Sequence, residues 1–479
     1  MPRNNPMDCW GTTEKAMKLS KLALIAAVAC GTNAVNLTTA SAGELNLVGC
    51  SEPVCDCGEP VCGCEPVTCC DDACEPDCGC EETSCCDSAC EPECCDSSCD
   101  SVCCDSGCDS GCDSAAGCGG GISGCLLPGL CGGDCDLGDP HSLFDGCACG
   151  IEIGGWASIG YHSAALPLFN SRPEEVQLHQ AWVYAEKALD TSDGFDIGGR
   201  FDIMYGTDSQ DTQVFGIDDD HWDNGWDNGN DYGFALPQLY VEAGYGDLSV
   251  KAGHFYTIIG WEVVGAPDNF FYSHAYTMYN SEPFTHTGAL ATYTVSDDLE
   301  VYGGYVTGWD SGFKDNGDAF LGGASLTLSD DLSLIYATVG GRFDDGDAGI
   351  ENGYMHSIVA DYMVCDNLEY IFQSDLLETE DEDGLTVRST FGINQYLIYT
   401  INDCLAMGTR FEWYGADEGV FNTGNDVYAW TSGINYKPHA NVIMRPELRY
   451  DWVSGDPSGI LEDDDDSQFS FGMDTIFLF

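Results

Sequence analysis

The chain closes on Gln468-Phe-Ser-Phe-Gly-Met-Asp-Thr-Ile-Phe-Leu-Phe479, a stretch that repeats with a period of two. Phe469, Phe471, Met473, Phe477 and Phe479 share one face of an extended strand, and Ser470, Gly472 and Asp474 interrupt the other. Such alternation describes a strand with an apolar medium on one side and a polar one on the other. A half-buried strand of a soluble sheet alternates too, so the rest of the chain must decide between them. No segment after residue 35 approaches the roughly 18 consecutive apolar residues that a spanning helix needs. Lipid offers exposed backbone groups no partner, so if this chain crosses a membrane it does so as a closed barrel of strands.

The same period governs everything from Ile151 onward. Ile151, Ile153, Ala157, Ile159 and Tyr161 fall on one face, with Glu152, Ser158 and His162 on the other. Phe195, Ile197, Phe201, Ile203 and Tyr205 alternate in the same way against Asp196, Arg200 and Asp202. Short connections resemble one another: Val295-Ser-Asp-Asp-Leu299, Leu328-Ser-Asp-Asp-Leu332, Val364-Cys-Asp-Asn-Leu368, Ile401-Asn-Asp-Cys-Leu405 and Lys437-Pro-His-Ala-Asn-Val442. They recur every 33 to 37 residues, which fits a hairpin of two strands of about 10 to 14 residues with one tight turn and one longer loop. A propeller blade has a similar period but needs four short strands per repeat. The count from Ile151 to Phe479 is about sixteen antiparallel strands, with both ends on the side of the short turns. The fold class is therefore all-β, a transmembrane antiparallel barrel. Pro446 is the worst misfit, because a closed barrel has no edge to tolerate a missing N–H.

Ahead of the barrel the physics changes. Residues 1–42 are expected to be an export signal: Lys15, Lys18 and Lys21 precede an apolar run from Leu22 to Ala29, and Ala40-Ser-Ala42 offers small residues at the cleavage spacing. Met17-Lys18 would be a more typical start, and Cys30 is an alternative site of lipoprotein processing. Residues 43–149 form a low-complexity segment. Of 30 cysteines, 26 lie between Cys50 and Cys149, with Cys-Cys-Asp-x-x-Cys beginning at Cys69, Cys85, Cys94 and Cys103. Large apolar residues are nearly absent before Leu126, so no core offsets the entropy of ordering it. Disulfides, within the chain or to envelope and cell-wall proteins, are the first reading; soft-metal thiolate clusters and a plain linker are the alternatives.

A net charge of −66 argues against a nucleic-acid partner. Parity places the basic strand residues Arg200, Lys251, Arg342, Arg388, Arg410, Arg445 and Arg449 on the polar face, since a Lys or Arg facing mid-bilayer costs roughly 2 to 4 kcal/mol. Near the end of the chain Arg445, Glu447, Arg449 and Asp451 face one way, and Val442, Met444, Leu448, Tyr450 and Trp452 the other; Arg410 and Glu412 form a similar pair. This polar face is expected to be wet and pore-lining, its charges either orienting hydrated solutes or bracing the wall. The acidic stretch around the tandem Trp-Asp-Asn-Gly at Trp222 and Trp226 misses the spacing of a calcium loop and reads as a solvated outer loop. The segment Ile258 to Pro283, between the fifth and sixth strands, is too apolar to stand in water and should pack inward against the barrel wall.

Within and around that segment, His254-Phe-Tyr, Ala266-Pro-Asp-Asn-Phe-Phe-Tyr-Ser-His and Asn280-Ser-Glu-Pro-Phe-Thr-His-Thr-Gly288 resemble the OmpL-like β-barrel porins. The resemblance covers residues 150–479 and implies an outer-membrane diffusion channel for small hydrophilic solutes and ions. Such porins fold a third loop into the lumen. By position Glu262, Asp268 and Glu282 are the expected constriction residues, with Arg200 opposite. The resemblance implies no role for the Cys-rich segment. Acidic loops predict modest cation preference, and sixteen strands suggest a homotrimer by analogy. No cofactor, metal site or enzymatic motif is expected: Gly-x-Ser-x-Gly, His-Glu-x-x-His and a phosphate loop are all missing from the sequence. The competing reading is a structural outer-membrane and cell-wall anchor with little conductance.

Overall fold

The computed structural model describes residues 137–138, 140–142 and 150–479, apart from residues 167, 215–220, 314–316, 347–348 and 419–423. The expected signal, residues 1–42, and nearly all of the Cys-rich segment lie outside the described residues.

Sixteen strands follow one another along the chain. The first eight are β1 (Glu152–His162), β2 (Gln177–Lys187), β3 (Phe195–Gly206), β4 (Gly233–Tyr245), β5 (Leu248–Tyr256), β6 (Thr285–Ser296), β7 (Leu299–Val306) and β8 (Asp318–Ser329). The second eight are β9 (Leu332–Gly346), β10 (Gly349–Cys365), β11 (Leu368–Glu380), β12 (Thr386–Asn402), β13 (Leu405–Glu418), β14 (Asn425–His439), β15 (Val442–Ser454) and β16 (Ser467–Leu478). Each pairs antiparallel with its neighbours, and β1 pairs with β16 to close the barrel. Strand length departs from the expected uniformity: β7 has 8 residues, whereas β10 and β12 have 17.

The recurring short sequences are the tight turns at one rim, and the structure shows why they resemble one another. The second turn residue lends its carbonyl to the strand after the next one: Asp298 accepts from Thr327 N at 3.1 Å, Asp331 from Met363 N at 2.8 Å, Asn367 from Thr400 N at 2.9 Å and Cys404 from Lys437 N at 2.8 Å. Consecutive hairpins are thereby stitched into a belt. The belt runs on to β16, where Asn441 O accepts from Leu478 N at 2.8 Å, and the ring closes where Gly155 and Phe479 exchange backbone hydrogen bonds at 2.9 Å.

The expected lipid face is the observed outer wall. Phe195, Phe469, Phe471 and Phe477 are exposed, whereas Ser470 and Asp474 are buried inside. Pro446 does sit mid-strand in a closed barrel. It pairs with Met473 of β16, and the β14–β15 ladder skips Ile434 and Asn435, so the missing N–H is absorbed by a local gap in one seam.

The interior departs from expectation. Between β5 and β11 part of the inner wall is apolar: Leu290, Val306, Leu321, Val339, Met355 and Leu377 are buried in one cluster with Ile258 and Ile259 of the loop after β5. That part of the interior is therefore dry, held by hydrophobic packing as in a soluble core.

Candidate functional site

The loop between β5 and β6, residues 257–284 and here termed L3, lies inside the barrel. Its apolar residues Ile259, Val264, Phe271, Tyr276 and Met278 are buried, which removes them from water as their density in the sequence requires. A short helix, α1 (Tyr276–Ser281), carries the chain back toward β6.

The alternating charges of β15 and β13 are the fastening of this loop. Arg445 donates through Nη1 to the carbonyls of Ala266, Asn269 and Phe271 at 2.7, 2.7 and 2.9 Å, and its other nitrogens engage Asp474. Glu447, two residues on, accepts from the backbone N–H of Tyr272 at 2.9 Å and of Ser273 at 3.2 Å. Arg449 donates to His274 O at 2.8 Å and pairs with Asp451, whose Oδ1 accepts from Tyr276 Oη at 2.9 Å. On β13, Arg410 bridges Glu262 at 2.6 Å and Glu412 at 2.7 Å while donating to Ser273 O at 2.7 Å; Glu412 accepts from Tyr276 N. Period two on a strand thus becomes a comb in which arginines grip loop carbonyls and carboxylates grip loop amides. Burying these ions costs nearly what their pairing returns, so the comb fixes where L3 sits more than it adds stability.

These wall residues are accordingly not wetted. Arg410, Glu412, Arg445, Glu447, Arg449 and Asp451 were expected to line water; L3 covers them all, and Arg410 is 0% exposed. Arg388 does face the lumen, partly exposed, with Glu351 at 2.7 Å and the Trp309 ring beneath its guanidinium. Arg342 departs from the expected face altogether. It lies on the outer wall at the end of β9, paired with Asp318 at 2.7 Å, and Asp318 is also bonded by the exposed Tyr305. Alternation alone misassigns it because here the inner face, Val339 and Phe343, is the apolar one.

Of the four expected constriction residues, the structure leaves two at an open surface. Glu262 is enclosed by Arg410, Tyr396 Oη at 3.0 Å and Ala275 N at 2.7 Å. Glu282 is buried against Gln373. Asp268 is exposed on the edge of L3, next in the chain to the partly exposed Pro267. The enclosing wall still thins the water around it: desolvation raises its pKa to about 6 against the pull of Arg200 and Arg445. Arg200 is partly exposed and held between Asp202 at 2.7 Å and Glu186 at 2.8 Å. Lys251, stacked on Tyr240, adds a second base on that wall.

Sequence reasoning missed a buried relay on the other side of L3. His179 joins Asp208 Oδ1 at 2.7 Å to Tyr272 Oη at 2.6 Å, beside a small cavity of about 10 Å³, room for about one water. His179 belongs to no motif in the sequence, and its enclosure makes it a brace between wall and loop. Neighbouring His274 is neutral, since burial and the adjacent arginines lower its pKa to about 3. In the tandem Trp-Asp-Asn-Gly loop, Asp223 is spent on backbone N–H groups of Val214 and Leu236, a structural role.

A family model described as "Putative beta-barrel porin-2, OmpL-like" matches residues 150–479. No curated protein matches the chain. Among solved structures, the trimer form of OmpT of Vibrio cholerae is similar at 13% identity, covering 69% of this chain and 99% of that one with a TM-score of 0.46. An anion-selective porin from Comamonas acidovorans is similar at 9% identity over 69% and 99% of the two chains with a TM-score of 0.48. A mutant porin of Rh. blastica is similar at 15% identity over 69% and 100% with a TM-score of 0.42. With the sixteen strands closed and the family matched over the whole barrel, this chain belongs to the OmpL-like β-barrel porins of the outer membrane.

Proposed function

We propose that the barrel is a passive channel for small hydrophilic solutes and ions, narrowed by L3 to a passage along the loop's Asp268 edge. The observation that carries this reading is the comb of β13 and β15, which holds L3 across the lumen while leaving Asp268 exposed opposite Arg200. A loop meant only to fill a barrel has no need of a charge at its free edge. Partly or fully exposed carboxylates at inward positions, Glu152, Glu186, Glu242, Glu300 and Glu351 with Asp268, outnumber the exposed inward bases Arg200, Lys251 and Arg388. A lumen of that sign concentrates cations.

The test is a reversal potential across a planar bilayer with a salt gradient. Modest cation preference is expected at neutral pH. Asp268 is ionised above about 6 and neutral below, so the preference should decline as pH falls through that value, and Asp268→Asn should lower it at neutral pH and flatten this decline. An anion-selective reversal potential in the unmodified protein would overturn the assignment.

A second reading, a structural anchor of the envelope with little conductance, draws on the dry cluster around Val339 and Ile259. We propose further that residues 1–42 are an export signal and residues 43–149 an arm cross-linked by disulfides to itself or to envelope proteins, and that the barrel assembles as a homotrimer. Migration of the full chain as a monomer on electrophoresis without reductant would count against covalent partners.

A further inference from the structure

The middle of L3 is held by arginines, but its returning end is fastened without any cation. Glu282, just past α1, and Asp375 of β11 are both buried, 4% and 1% exposed, and Asp375 Oδ1 has no hydrogen-bond partner. Between them stands the amide of Gln373. Its Oε1 accepts from Trp261 N at 3.0 Å, which turns Nε2 toward both acids, 2.6 Å from Glu282 Oε1 and 2.6 Å from Asp375 Oδ2. The two ends of L3 meet here: Glu282 Oε2 lies so close over Gly260 that a Cβ there would come within 1.9 Å.

The groups facing the pair offer no compensating charge. L3 contributes Thr277 and Glu262, β10 contributes Ser357, and β13 contributes Tyr414. The nearby arginines are engaged elsewhere, Arg410 with Glu262 and Glu412, and Arg388 with Glu351. Two buried carboxyls joined through one neutral amide nitrogen, 2.6 Å from each, cannot both carry charge.

We propose that Glu282 and Asp375 share a single proton that latches residues 277–284 of L3 to β11, and that losing this proton releases this segment while the arginine-held middle stays seated. The proposal deepens the channel reading, since it names the control of the same loop, but its test does not depend on conduction. The sign follows from linkage. Burial and the neighbouring Asp375 raise the Glu282 pKa well above the usual carboxylate range, so the seated loop retains a proton that the released loop gives up at an ordinary carboxylate pKa. Release is therefore favoured about tenfold per pH unit as pH rises through that interval, and is constant above it.

Hydrogen exchange of L3 peptides, measured by mass spectrometry on the full chain in detergent and corrected for the intrinsic pH dependence, tests this directly. Infrared difference spectroscopy of protonated carboxyls accompanies it. In the unmodified protein, residues 277–284 should lose about tenfold protection per pH unit above the acid range while residues 266–276 stay protected. Asp375→Asn and Glu282→Gln, which keep a hydrogen bond across the pair without a shared proton, should each weaken that pH dependence and remove one protonated-carboxyl band seen at neutral pH. Protection of residues 277–284 that does not change with pH, an unchanged pH dependence in both variants, or no such band in the unmodified protein would each overturn the latch. A barrel that shows the latch yet carries no current would sink the channel reading alone.

Discussion

Arg410→Ala should free the middle of L3 from the wall. The guanidinium is fully buried and satisfies Glu262, Glu412 and the carbonyl of Ser273 at once. Its removal leaves two carboxylates enclosed with only Arg449, 3.4 Å from Glu412, to compensate. Losing one partner of a buried ionic network costs about 3–5 kcal/mol, and L3 can escape that cost only by swinging out to where water reaches Glu262. Limited proteolysis should cut within residues 261–276 of the variant and spare the unmodified protein. Channel currents, where measured, should become larger and noisier. Arg410→Lys should rescue only partly, because one ammonium cannot reproduce the fork that spans two carboxylates and a carbonyl. Combining Arg410→Ala with Glu262→Gln should recover part of the loss, and the non-additivity of that double-mutant cycle measures the coupling. Equal protease resistance of Arg410→Ala and the unmodified barrel would show that the comb does not hold the loop.

Leu448→Arg should cost the folded barrel roughly 2–4 kcal/mol in a lipid bilayer. Leu448 lies mid-strand on β15, opposite Ser432 and Phe471, and is 50% exposed on the outer wall between the inward-facing Glu447 and Arg449. The substituted side chain has no partner at that depth. Urea unfolding in phospholipid vesicles should show the loss, while Leu448→Ala should cost far less because only contact with lipid tails is removed. If the faces were reversed, Leu448→Arg would be nearly neutral. The comparison therefore reads out which side of β15 touches lipid.

The lipid face and the strand count were legible in the sequence because both rest on period two: Phe469, Phe471 and Phe477 repeat against Ser470 and Asp474 with nothing else to explain them. The turn motifs were legible as repeats, but their cause was not. The carbonyl of Asp298, Asp331, Asn367 or Cys404 is committed to a strand more than twenty residues away, and no local rule shows that. L3 could be placed inside from its greasy composition alone. What alternation cannot do is distinguish lipid from a dry interior, since both demand apolar side chains. Val339 and Phe343 look like a lipid face and are an inner one, and Arg342 was misassigned with them. The same limit hid the fate of the charges. Arg445, Glu447, Arg449 and Asp451 announce a polar inner face, but whether water or loop backbone meets them depends on the path of L3, which no pattern within β15 encodes. The pairing of Glu282 with Asp375 joins residues 93 positions apart and appears only when the loop has returned to the wall.

The central claim is that an aqueous path runs past L3 through a wall whose outside is lipid. Single-channel recording of the folded barrel in a planar lipid bilayer tests it most directly. The account predicts discrete current steps, nearly ohmic at low voltage, with a reversal potential of cation-selective sign in a salt gradient. Folded barrels that insert, as shown by resistance to heat and protease, and yet carry no more current than bare lipid would contradict it.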